Sequence, residues 1–226
     1  IAHVRANQLP SEGNVPHLAI PGTAGTGAET TAVAVLYENG QKLSVDHLAL
    51  LPDGVLLDGS LLDTLPEYHR KSCAMDALAQ GIESWWAKKA TPDSRIHAER
   101  AIRGVLDNLT AYLQGDRKAQ DEMLHAAYES GMAILTTRTT AAHAMSYQIT
   151  KKLGAAHGHA CMLTLPHLWA HLAAQSEYQP MLTELSRLLG GEKPMEGGGD
   201  LAVLLHNTAG ARAVMKALSD KSIGEK

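Results

Sequence analysis

The sequence has few features of a secreted, membrane-spanning or nucleic-acid-binding protein. Its 226 residues include only two cysteines, Cys73 and Cys161, too few for a disulfide framework or a thiolate zinc site, which favours the reducing cytoplasm. No run approaches the roughly 18 apolar residues of a membrane span, and no signal segment opens the chain. The formal charge of -4 lacks the basic excess that binds phosphate backbones. We therefore expect a soluble, cytoplasmic protein that binds neither membranes nor nucleic acid.

The chain changes character near Pro66. Before it, apolar and β-branched runs predict strands at 15–21, 30–37, 42–45 and 55–58. The Asn39-Gly40 dipeptide predicts a hairpin, and a second strand pair is expected to join 42–45 to a buried run at 55–58. After Pro66, helical periodicity predicts helices at 68–89, 93–113, 117–136, 140–152, 158–174, 178–189 and 201–218. We therefore predict an α/β domain over residues 1–66 and a helical domain over residues 67–226.

Two histidines stand apart from the other ten. His143 and His157 flank a predicted helix, and the small residues around them leave room for an ion. Neutral imidazole is the commonest metal ligand near physiological pH. The alternative is a pair of helix-end histidines with satisfied hydrogen bonds.

One predicted helix carries acidic and amide groups at helical spacing. Asp76 and Gln80 are four residues apart, so they share one face of that helix. Because the face is otherwise apolar and small, an acid there needs a partner or a cation. The alternatives are that Asp76 caps a neighbouring helix and that Glu83 is an exposed partner for a surface cation.

A glycine-rich loop precedes the second strand. Its three glycines, within residues 22–29, let the backbone approach a ligand, and its hydroxyls can bind phosphate oxygens. It fits neither the P-loop nor the G-x-G-x-x-G pattern. A glycine-rich hairpin without a ligand is the alternative.

Together these segments resemble the iron-containing, or group III, alcohol dehydrogenase family, whose fold is shared with dehydroquinate synthase and glycerol dehydrogenase. Residues 20–29 are similar to the family's I-P-T-T-A-G-T-G-S-E, with departures at its third and ninth positions. Residues 58–66 resemble D-P-x-L-x-x-x-L-P, and residues 76–80 resemble D-A-L-x-H. His143 and His157 match the two later ligand histidines.

The resemblance implies a dehydroquinate synthase-like two-domain fold, α/β followed by all-α, with the active site between a dinucleotide-binding domain and a helical metal-binding domain. It implies one divalent metal bound by Asp76, Gln80, His143 and His157. It also implies NAD(P)H contacts at Gly22, Thr23, Thr26, Thr31, Lys42 and Leu61. Most of the first domain, including its Gly-Gly-Gly-Ser phosphate turn, is then expected to be missing before Ile1, and the last helices after Lys226.

Gln80 departs from the family pattern, which has histidine there. A neutral carbonyl oxygen or a water then replaces a nitrogen ligand, which makes zinc and manganese alternatives to iron. Residues 76–84, which contain this glutamine, together with residues 139–147 and 157–160, resemble the phosphonoacetaldehyde reductase branch of the family.

A phosphonate group needs cationic and hydroxyl donors. We therefore predict that Arg138, Thr139 and Ser146 bind substrate, the alternative for Arg138 being a solvated cation at a helix end. Tyr147 stands where many relatives carry another histidine, and we predict that it shapes the pocket or relays a proton as a catalytic residue.

The predicted function is metal-dependent reduction of a small aldehyde by NAD(P)H in a homo-oligomer. The favoured substrate is phosphonoacetaldehyde, which would give 2-hydroxyethylphosphonate. One alternative is a general short-chain alcohol dehydrogenase. Another is an inactive family member that acts as a helical oligomerisation domain.

Overall fold

The structure, a computed structural model, describes residues 15–39 and 41–190. Four strands lie in the first part of this range: β1 (Leu18–Ala19), β2 (Val33–Glu38), β3 (Gln41–Asp46) and β4 (Gly54–Val55). Six α-helices follow in the described residues: α1 (Glu67–Trp86), α2 (Pro92–Leu113), α3 (Arg117–Thr137), α4 (Ala141–Leu153), α5 (His157–Ala173) and α6 (Gln179–Leu188). The helix predicted at 201–218 lies outside this range. The division into domains at residue 66 stays a prediction.

The strand pairing is partly as predicted. Strands β2 and β3 form the expected antiparallel hairpin, in which Val33 lies opposite Asp46. The expected second pair is wrong, because β4 instead pairs in parallel with β1. The run at 55–58 is also not buried, since Leu56 is 50% exposed. Parallel strands need a long connection rather than a tight turn, so no local turn signal reports this pairing.

Side-chain caps fix the starts of two helices where the sequence predicts them. The Thr91 hydroxyl accepts a hydrogen bond from the Ser94 backbone N–H at 3.1 Å, and the Ser94 hydroxyl accepts one from the Thr91 N–H at 2.9 Å. This capping box opens α2. The Asp116 carboxylate caps the start of α3 by accepting one hydrogen bond from the Ala119 N–H at 2.8 Å.

Helix α1 is the central element of the described helices. It packs against α2, α3 and α5, and 14 of its 20 residues are buried. Close packing depends on glycine, since a Cβ on Gly158 of α5 would lie 2.0 Å from the Ser72 carbonyl oxygen of α1. Three buried polar residues of α1, Asp76, Gln80 and Glu83, follow a spacing of four and three residues. They therefore form a polar stripe on one face of a buried helix.

The glycine-rich loop packs directly on α3. A Cβ on Gly131 of α3 would lie 2.1 Å from the Thr30 hydroxyl and 2.2 Å from the Gly27 carbonyl. The Gly59 N–H also donates to Asp121 of α3 at 2.9 Å. These contacts fix the loop at residues 22–29 against the helical part.

Among the described residues, no helix combines the length and the apolar character that a bilayer crossing requires.

Candidate metal centre

Four side chains from three helices converge on one point. One ligand atom from each of Asp76, His143, His157 and Cys161 lies within 4.8 Å of all the others. The Asp76 Oδ1 atom is 3.2 Å from His143 Nε2 and 3.7 Å from His157 Nε2. Asp76 and His143 are each only 3% exposed. The structure thus brings together three of the four predicted metal ligands and adds a cysteine that sequence reasoning missed.

Glu83 orients the first imidazole. Its side chain is fully buried, and one carboxylate oxygen accepts hydrogen bonds from the backbone N–H groups of Thr140 and Ala142 at 2.9 and 3.0 Å. The other oxygen contacts His143 Nδ1. A carboxylate on Nδ1 leaves Nε2 free for a cation, as in metal sites with a supporting acid. The interpretation of Glu83 as an exposed surface partner is therefore wrong.

Ser146 orients the second imidazole. Its hydroxyl donates to the His143 carbonyl oxygen at 2.7 Å, so its oxygen accepts from His157 Nδ1, 3.1 Å away. His157 Nε2 then faces Asp76 Oδ1 at 3.7 Å and is the nitrogen that would be available to a cation. Tyr147 stacks on the outer face of the same imidazole, with ring centroids 5.7 Å apart. Ser146 thus holds a candidate ligand, and its predicted contact with substrate stays a prediction.

The electrostatics of the cluster suit a cation. Burial lowers the pKa of His143, but hydrogen bonds to Asp76, Cys161 and Glu83 outweigh it and raise that pKa well above its ordinary value. Burial raises the pKa of Cys161, but His143 and His157 bring it below the ordinary value. The acidic groups therefore stabilise a positively charged imidazole in the cluster. A divalent cation bound there would be stabilised by the same groups.

Gln80 lies on the turn of α1 that follows Asp76. Its side chain is buried, and its carbonyl oxygen accepts a hydrogen bond from the Ser130 hydroxyl at 2.7 Å. Ser130 in turn lies 3.5 Å from the Gly25 carbonyl of the glycine-rich loop. Gln80 therefore links the candidate metal centre to that loop, and its role as a ligand stays a prediction.

Two predicted substrate residues lie between α3 and α4. Arg138 has a φ of +61°, and its guanidinium pairs with Asp46 of β3 and donates to the Leu135 carbonyl oxygen. It lines an apolar cavity of about 460 Å³ beside Trp86 and Leu168. Arg138 thus lies at the end of α3 with its side chain 40% exposed and paired with Asp46, and Thr139 is half-buried next to it. Its contact with substrate stays a prediction, and so does the alternative of a solvated helix-end cation.

The predicted cofactor residues lie in the loops and the β2–β3 hairpin before α1. Gly22, Thr23 and Thr26 are exposed in the glycine-rich loop, and Leu61 is exposed on the turn before Asp63. Thr26 accepts from the Ala28 N–H at 3.2 Å, and Thr31 donates to the Ala28 carbonyl at 3.1 Å. Lys42 is opposite Tyr37 in the hairpin register. Their contact with NAD(P)H stays a prediction.

The family of this chain follows from comparison with known proteins. The family model of iron-containing alcohol dehydrogenases matches residues 1–59, and that of the C-terminal part of the Fe-containing alcohol dehydrogenase family matches residues 71–226. The chain therefore belongs to the iron-containing alcohol dehydrogenase family, as the motifs predict. The phosphonoacetaldehyde reductase of Streptomyces viridochromogenes is 36% identical over 167 residues, which are 70% of this chain and 42% of that protein.

Solved structures show the same fold. An iron-containing alcohol dehydrogenase from Thermococcus thioreducens superposes with a TM-score of 0.79 at 29% identity, over 92% of this chain and 52% of that one. A sulfoacetaldehyde reductase from Bifidobacterium kashiwanohense in complex with NAD+ superposes with a TM-score of 0.74 at 27% identity, over 96% and 54%. The predicted fold class is thus confirmed. The chain spans less than half the length of the reductase from Streptomyces.

Proposed function

We propose that this chain belongs to a metal- and NAD(P)H-dependent oxidoreductase that reduces a small aldehyde to a primary alcohol. The observation that carries the proposal is the convergence of buried Asp76 and His143 and partly exposed His157 on one point. When bound there, a divalent cation would supply Lewis acidity toward a carbonyl oxygen, and a nicotinamide would supply hydride. No protein nucleophile is needed for that chemistry.

The protein's own part in this reaction is positioning and proton supply. Glu83 and Ser146 hold the two imidazoles with Nε2 toward Asp76. Tyr147, which is 38% exposed and stacked on His157, has both solvent access and proximity to the cluster. We propose that its hydroxyl passes a proton to the alkoxide as the aldehyde is reduced.

We propose phosphonoacetaldehyde as the substrate. Supporting this choice, a relative named for phosphonoacetaldehyde and a structural neighbour named for sulfoacetaldehyde both reduce an acetaldehyde that carries an anionic group. Arg138 and Thr139, directly before α4, are the proposed donors to that group. A charge-assisted hydrogen bond contributes about 1.5–3 kcal/mol, which would discriminate against plain aldehydes.

Rates on phosphonoacetaldehyde and acetaldehyde, each with NADH and NADPH, test this function. We expect kcat/KM to be at least about tenfold higher for phosphonoacetaldehyde, which corresponds to one charged hydrogen bond. Equal rates would favour the general alcohol dehydrogenase. Metal binding without NAD(P)H binding or turnover, both in this chain and in a full-length version, would favour the inactive helical domain. The homo-oligomer and the cytoplasmic location stay predictions.

A Gln80→His variant tests the predicted fourth ligand position. Imidazole nitrogen is a stronger donor to iron and zinc than a neutral amide oxygen, so we expect slower loss of metal to a chelator. The Ala127 carbonyl oxygen lies 2.8 Å from the Ser130 hydroxyl, so the hydroxyl proton keeps an acceptor in the variant. Metal retention identical to that of the wild type, measured by metal analysis after dialysis, would count against position 80 as a ligand.

A further inference from the structure

Cys161 is placed to be a metal ligand. Its side chain is fully buried on α5, and its Sγ atom is 4.0 Å from His157 Nε2. It follows His157 by four residues, so both side chains leave the same face of α5 one turn apart. The thiol therefore shares the buried centre formed by Asp76 and the two histidines.

The interatomic distances match the donors of one tetrahedral ion. With metal bonds of about 2.0–2.1 Å to nitrogen and oxygen and about 2.3 Å to sulfur, neighbouring donors lie roughly 3.3 to 3.6 Å apart. Three of the six separations are 3.2 Å for Asp76 to His143, 3.7 Å for Asp76 to His157 and 4.0 Å for His157 to Cys161, and the other three are no longer than 4.8 Å. Shifts of about one ångström or less would bring all four donors onto one cation.

The fourth position of the family's donor set is altered in this chain. Gln80 stands where the family pattern has histidine, and its carbonyl oxygen already accepts a hydrogen bond from Ser130. A cation held by Asp76, His143 and His157 therefore lacks one strong protein donor. Among the described histidines, cysteines and acids, Cys161 joins them in a group of four.

We infer that Cys161 is the fourth protein ligand of the metal centre, as a thiolate. The inference rests on the proposed centre of Asp76, His143 and His157. On binding, the thiol proton leaves to solvent and a sulfur-metal bond forms, with no change in oxidation state. A donor set of two nitrogens, one carboxylate oxygen and one thiolate suits zinc, which can expand to five ligands when an aldehyde oxygen binds.

The test is X-ray absorption of the purified 226-residue chain loaded with Zn²⁺, with metal content measured in parallel. We expect one zinc per chain and one sulfur scatterer at about 2.3 Å. A Co²⁺-loaded sample should show a thiolate-to-cobalt charge-transfer band. In Cys161→Ser the sulfur scatterer and the band should vanish, and zinc affinity should fall at least about tenfold, since loss of even an outer-sphere partner costs 10- to 100-fold.

The matched control is Cys73→Ser. Cys73 is the other cysteine and packs on the backbone of Gly25, so its variant should keep the sulfur scatterer, the band and the affinity. A wild-type zinc site with nitrogen and oxygen neighbours alone would overturn the thiolate assignment and leave the metal centre standing. A wild-type chain that binds neither zinc nor cobalt would overturn the centre itself. The wild-type spectrum decides between these outcomes even if Cys161→Ser does not fold.

Discussion

Metal binding is expected to be lost in a His143→Ala variant that keeps its helical content. His143 presents Nε2 to Asp76 from the centre of the cluster, at 3.2 Å, so its removal opens one corner of the donor set. We expect affinity for the divalent cation to fall by at least about 100-fold, the upper value for loss of a mere supporting partner. Aldehyde reduction should fall with it. Metal analysis after dialysis and far-UV circular dichroism measure the two effects separately.

The fold should survive this change because Glu83 keeps other donors. The Thr140 and Ala142 N–H groups still bind its carboxylate, so the buried charge is not left unpaired. We expect a loss of about 3–5 kcal/mol in the free energy of unfolding, the range for removing one partner of a buried ion pair. Complete unfolding at room temperature would contradict this account of Glu83.

His159→Ala is the matched control for this variant. His159 is equally buried, and its Nδ1 atom is bonded to the Tyr68 hydroxyl at 3.0 Å rather than to the cluster. This variant should lose stability but retain its metal. If both variants lost metal to the same degree, the effect of His143 would reflect general disruption of α4 and α5 rather than ligation.

The sequence predicts local structure well where a side chain acts on its own backbone. The capping residues Thr91 and Asp116, and the hairpin of β2 and β3, each satisfy backbone groups within a few residues. Asp76 and His143 are 67 residues apart, and no spacing rule brings two such helices together. Their predicted association rests on the family resemblance, since the periodicity indicates only that Asp76 is buried and needs a partner.

The residues that sequence reasoning missed make their contacts with side chains of other helices. Glu83 lies seven residues after Asp76, two helical turns along the same face, and this spacing is a usable signal that it too is buried. Cys161 lies one turn after His157, a second signal of the same kind. The low cysteine count excludes a site made only of thiolates, but it does not exclude one thiolate beside nitrogen and oxygen ligands. The pairing of Arg138 with Asp46 has no local signal at all.

Gly158 is the position where one added methyl group should do most damage to both the fold and the site. A Cβ there would lie 2.0 Å from the Ser72 carbonyl oxygen and 2.7 Å from the Asp76 backbone nitrogen. Both contacts are with the α1 backbone, which cannot change rotamer to relieve the clash as a side chain could. Helix α5 would therefore have to move away from α1, together with His157 and Cys161.

We expect Gly158→Ala to lower the free energy of unfolding by about 3 kcal/mol, the upper range for overpacking, or roughly 6–12 °C in Tm for a chain of this size. Metal retention should fall as well, because the movement lengthens the 3.7 Å separation between Asp76 and His157. Gly22→Ala is the control, since no atom lies within 4 Å of the position that its Cβ would take. Thermal unfolding with and without Zn²⁺ separates the two effects: a Gly158→Ala variant with normal Tm and normal zinc stabilisation would show that α1 and α5 do not pack this closely.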